Sequence, residues 1–109
     1  MKKLCFDLDG VICNNTYGDY DNAKPIQEAI DKVNDLYKKK FEITIFTARY
    51  MGRTNGNAKE ANKRGFEQAK YQLESWGVNY HNLILGKPEY DIIIDDKGYG
   101  YSTSWTKEL

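Results

Sequence analysis

Four short apolar runs alternate with two helical stripes along this chain, and that order restricts the fold more than any other feature. The first run, Leu4-Cys5-Phe6, reads as a strand over residues 3–8. The others read as strands at 42–46, 82–85 and 91–95. Between the first two, Ile26, Ala29, Ile30, Val33, Leu36 and Tyr37 share one face of a helix that starts at Pro25, a favourable first-turn residue. Between the next two, Ala58, Ala61, Gly65, Ala69, Leu73 and Trp76 line the buried face of a second helix. It opens at Asn57, with Glu60 three residues on in a capping-box arrangement, and stops at Gly77. The small residues on its face predict close approach to a sheet. Ile92-Ile93-Ile94 does not alternate polar with apolar, which is the pattern of a parallel strand covered on both faces. Strands alternating with helices predict an α/β fold, a three-layer sandwich around a small, mostly parallel, Rossmann-like sheet.

At 109 residues the chain is one domain, 1–109, with no repeat, low-complexity tract or linker to divide it. Sixteen basic and 16 acidic residues balance, and the pI is near 6.6. A dedicated nucleic-acid binder would carry a basic excess. The opening Met1-Lys2-Lys3-Leu4-Cys5-Phe6-Asp7 is not a signal peptide, because its apolar stretch is too short and Asp7 interrupts it. No segment reaches membrane-spanning length, so a cytoplasmic protein is expected. The cysteines, Cys5 and Cys13, lack metal-site spacing, and Cys5, on the first strand, is expected to be a buried free thiol.

The first strand runs into Asp7-Leu8-Asp9-Gly10. Strand side chains alternate, so Asp7 and Asp9 point the same way. They do so at a carboxyl end, where ligands bind in open α/β sheets. Paired carboxylates repel, and a cation or a shared proton relieves the conflict. Such a pair also arises by chance, and strand-end Asp residues often only cap turns. The other strand ends add weight. The second closes in Phe46-Thr47-Ala48-Arg49, where a hydroxyl and the backbone N–H groups beyond it face the same edge. The third closes in Gly86-Lys87-Pro88 and the last in Asp95-Asp96. Each has an ordinary reading alone: a solvated loop lysine, a turn cap. Together, four carboxylates call for a hard divalent cation such as Mg2+, and a Lys and a Thr beside it call for a dianion. Phosphate meets both demands.

The same residues resemble the four motifs of the haloacid dehalogenase superfamily of phosphohydrolases, in order and across essentially the whole chain. The variants around Thr47 and Asp95-Asp96 look most like small phosphatases of capsule and polysaccharide biosynthesis. The resemblance implies a Mg2+-dependent phosphomonoesterase. Asp7 would be nucleophile and metal ligand, and Asp9 general acid and base, its carbonyl reaching the metal. Thr47, Ala48 and Lys87 would hold phosphoryl oxygens, with Asp96 a direct metal ligand and Asp95 beside it or acting through water.

The family commonly inserts a cap domain, but only residues 10–24 and 86–90 stand at the two insertion points, so this chain looks like a capless member. Its open site implies a large substrate or a second subunit, a homo-oligomer, as cover. A phosphorylated sugar or related metabolite is the expected substrate, with Arg49, Tyr17, Tyr20 and Tyr50 as specificity candidates; nucleic acid and membrane are not expected partners. The alternatives are a phosphatase of macromolecules and a non-catalytic phosphate- or partner-binding domain.

Overall fold

Strand register decides which side chains share a face. The computed structural model describes residues 2–109. It contains β1 (Lys3–Phe6), β2 (Glu42–Thr47) and β3 (Asn82–Leu85), all parallel and in the order β1-β2-β3. Leu4 pairs with Ile43, Phe6 with Ile45, Ile45 with Leu83 and Thr47 with Leu85. These side chains therefore share one face. The helices α1 (Gln27–Lys38), α2 (Ala58–Ser75) and α3 (Trp105–Glu108) supply its cover. Ala29, Ile30, Val33 and Leu36 of α1, Ala69 and Leu73 of α2 and Trp105 of α3 join Phe6, Ile43 and Ile45 in one core cluster. Fully burying each large side chain there contributes roughly 1.5–3 kcal/mol.

Two right-handed crossovers that step the same way along a sheet put their helices on the same side. The alternate side chains confirm the asymmetry. Cys5 and Asn82 are exposed, Ile84 is 48% exposed, and Thr44 and Phe46 are half-buried. Among the described residues the fold is thus two layers, not the three that the sequence pattern predicts. Cys5 is consequently a free thiol on the open face, while Cys13 is the buried one.

The fourth predicted strand does not form. Residues 91–95 join no ladder, and Ile92, Ile93 and Ile94 are 81%, 57% and 97% exposed. A parallel strand with two apolar faces needs helices on both. The chain beyond β3 instead crosses to the helical face, where the Trp105 ring lies 5.6 Å from Phe6 and the Thr106 hydroxyl donates to Glu28 at 2.5 Å. No element is left to cover the far side. The short α3, which holds Trp105, is absent from the sequence reading.

The other boundaries follow local chemistry. α1 begins two residues beyond Pro25, with Ile26 at its N-cap. Asn57 caps α2 as its side chain accepts the Glu60 N–H at 3.0 Å, which satisfies one of the otherwise orphaned donors of the first turn. Gly77 ends α2 at φ 73°, a left-handed conformation that glycine adopts without strain. The small face of α2 does permit close approach to the sheet: a Cβ at Gly65 would stand 3.1 Å from Leu85 of β3 and 2.6 Å from the Tyr50 ring. No helix among the described residues is long and apolar enough to cross a membrane.

Candidate functional site

Beyond Phe6 the backbone turns sharply. The Leu8 carbonyl accepts N–H bonds from Ile12 at 2.9 Å and from Cys13 at 3.2 Å, which keeps Leu8 in the core and turns Asp7 and Asp9 into one cleft. Asp7 accepts the Leu8 N–H at 2.8 Å, and its other oxygen lies 3.6 Å from the Lys87 ammonium. Burial pushes the Asp7 carboxyl above its ordinary value, and Lys87 offsets only part of that rise. Burial pulls Lys87 the other way, but Tyr90 and Asp7 outweigh it, so the ammonium is held above its usual range. Lys87 is fixed through its backbone as well, its N–H donating to the Thr47 carbonyl at 3.2 Å. Residues from the ends of β1, β2 and β3 thus meet at one edge.

Asp9 has a different partner. Arg49 grips it with two nitrogens: Nε lies 3.2 and 3.0 Å from the two carboxylate oxygens and Nη2 lies 3.0 Å from the first. The guanidinium is 1% exposed. Its remaining side is filled by Gln72, whose Oε1 accepts from Nη1 at 2.6 Å, and by the Tyr20 ring at 4.8 Å. Gln72 then donates to the Tyr20 carbonyl at 2.6 Å. Thr47 is wholly buried, and its hydroxyl accepts the Arg49 N–H at 3.1 Å. Arg49, a specificity candidate in the sequence, is therefore saturated from within the protein.

The cleft has a volume of about 450 Å³, and Asp7, Asp9, Tyr17, Tyr20, Ala48 and Arg53 are among its walls. Tyr17 is 92% exposed at its mouth. Tyr50 lies 5.1 Å from the Tyr20 ring and donates its hydroxyl to Gln68 at 3.0 Å. Asp95 and Asp96 are not among the walls of the cleft. They are exposed, and the Asp95 carboxylate accepts the N–H of Lys97 at 2.9 Å. Among the described residues no three His, Cys, Asp or Glu side chains cluster as a metal centre. The predicted set Asp7, Asp9, Asp95 and Asp96 is therefore not assembled, because the strand that would carry its second half is not in the sheet.

Gln72, Cys13 and Arg53 belong to the site but escape the sequence reading. Gln72 had a signal: it lies three residues after Ala69 on the buried stripe of α2, where a polar group needs a partner. Cys13 donates to Asp9 at 3.4 Å. Burial, with Asp9 adding to it, pushes this thiol up to about 12. Little of the reactive thiolate then forms at this position. Iodoacetamide on the native protein is expected to label Cys5 and spare Cys13, as read by peptide mass mapping. Labelling of Cys13 before unfolding would contradict this geometry.

No family model matches the sequence, and no curated protein matches it. Among solved structures, a crystal structure of an MCSG target from Vibrio cholerae is similar, with 28% sequence identity and a TM-score of 0.84. The match covers 99% of this chain and 95% of that one. The architecture is thus shared along nearly the whole length of both.

Proposed function

We propose that this protein is a phosphomonoesterase of the haloacid dehalogenase type, working through an aspartyl phosphate on a small phosphorylated metabolite such as a sugar phosphate. One observation carries the reading. Lys87 reaches from the end of β3 past β2 to stand 3.6 Å from Asp7 at the end of β1. A nucleophilic carboxylate and a fixed cation meet where a parallel sheet receives ligands. A phosphate ester entering there would exchange the Asp7–Lys87 contact for one between Lys87 and its own oxygens. The Asp7 carboxylate would attack phosphorus in line, forming the O–P bond of the aspartyl phosphate as the ester O–P bond breaks. Asp9 in its protonated form would give its proton to the leaving oxygen; water would then attack phosphorus, break the Asp7 O–P bond and return a proton to Asp9. For that, one of its bonds to Arg49 must lengthen.

The Mg2+ that the resemblance implies is not matched by the side chains as arranged. Asp95 and Asp96 do not line the cleft with Asp7, and Asp9, whose carbonyl the resemblance brings to the metal, gives its side chain to Arg49. The chemistry above accordingly uses protein groups only. A panel of phosphorylated metabolites, assayed for released phosphate with Mg2+ and with EDTA, tests the reading. Phosphate release from at least one ester is expected both with Mg2+ and in EDTA. Release abolished by EDTA would mean that a cation takes part after all, and no release from any ester removes the esterase.

The saturation of Asp9 favours a second reading, a domain that binds phosphate without cleaving it. Binding of phosphate esters with no single-turnover release would select it.

A further inference from the structure

We infer that Arg53 is a second anion site in the same cleft, and that the ligand is a phosphate ester carrying a further anionic group. Three cations stand around this edge. Lys87 faces Asp7, and Arg49 is enclosed with Asp9. Among the described residues Arg53 alone of the three has no carboxylate within 4.0 Å. Its exposed guanidinium is nonetheless held in place. It lies 5.3 Å from the Tyr20 ring centre and 5.0 Å from that of Tyr50, and it donates to the Gly18 carbonyl. With both rings against it and one N–H given to Gly18, the guanidinium keeps other N–H donors free for a carboxylate or phosphate.

Both loops are built for this contact. Gly18 has φ +104°, a conformation that strains other residues, and a Cβ there would crowd Arg53 Nη2 at 3.0 Å. The segment bearing Arg53 is braced on itself: the Thr54 hydroxyl donates to the Tyr50 carbonyl at 2.7 Å, and the Gly56 N–H donates to Met51 at 2.8 Å. Glu89 also lines the cleft, yet its carboxylate lies against Gly52 and forms no ion pair with Arg53. An ordered, unneutralised arginine in the cleft that holds Asp7 binds a second charge on whatever Asp7 and Lys87 engage.

The inference rests on the esterase reading for turnover but not for binding, so both are measured. The probes are 3-phosphoglycerate against glycerol 3-phosphate, and fructose 1,6-bisphosphate against fructose 6-phosphate. The first pair asks about a carboxylate, the second about a phosphate. Binding is followed by calorimetry, and kcat/KM by released phosphate. Wild type is expected to prefer the doubly anionic member of at least one pair by about tenfold, the usual worth of a charge-assisted pair. Arg53→Gln should bring that ratio close to one, while Arg53→Lys keeps most of it. The inference is overturned if wild type shows no preference, if Arg53→Gln leaves the ratio unchanged, or if it weakens both members equally. A binding preference without any turnover overturns the esterase alone.

Discussion

Asp7→Asn should remove phosphate release by several orders of magnitude, because the amide can neither attack phosphorus nor become the acyl phosphate. The fold should survive, and the sign of the Asp7 shift says why. Burial raises this carboxyl in the folded chain. The folded state therefore holds the Asp7 proton more tightly than the unfolded state does. Ionised Asp7 lowers stability at neutral pH, and that penalty fades as pH falls through the folded value. Asparagine never ionises, so the variant should melt no lower than wild type at pH 7. The same sign places the acid limb of the rate profile above the range of an ordinary aspartate, since attack needs the carboxylate. Activity retained in Asp7→Asn, as measured by single-turnover release, would end the covalent mechanism.

The largest loss of stability is expected at Arg49. Arg49→Met leaves the Asp9 carboxylate, 18% exposed, without its cation and the Gln72 carbonyl oxygen without its donor. Breaking one partner out of a buried ion pair costs about 3–5 kcal/mol. That is a large share of the roughly 5–15 kcal/mol that holds a small domain together. Gln72→Leu should cost less, about 1–2 kcal/mol, because it removes a neutral acceptor and leaves the ion pair. The double variant should fall short of the sum, as both changes dismantle one network. Urea unfolding of the three variants measures this directly. A loss at Arg49 below about 1 kcal/mol would mean that the pair is solvated and does not organise the site.

The part of this protein written in local pattern was readable from sequence. The stripe of α1, the Asn57 cap, the Gly77 stop and the parallel strands at 42–46 and 82–85 each follow from residues within one turn or one strand of each other. So does the meeting of Asp7, Asp9, Thr47 and Lys87 at one edge, because strand ends of a parallel sheet converge there. What failed depended on partners far along the chain. Ile92-Ile93-Ile94 has a strand's composition, but whether it enters the sheet depends on a covering layer that this sequence spends elsewhere, at Trp105. Cys5 misled for the same reason, since its face has no helix above it. Arg49 offered a charge without a partner, and nothing local told an external anion from Asp9, 40 positions earlier. Arg53 carried no signal at all, because its role comes from two aromatic rings and a glycine carbonyl drawn from separate loops.

The tail that closes over β1 also fixes a timetable. Tyr101 donates to the Gly10 carbonyl across 91 positions, and Trp105 completes the cover of Phe6, the residue before Asp7. During synthesis the strand that leads into Asp7 emerges from the ribosome well before Trp105. It must then wait for almost the whole domain to follow before its apolar side is shielded. Until that moment Phe6 lacks the Trp105 ring that covers it. The apolar cover of β1 is therefore completed only when the tail docks.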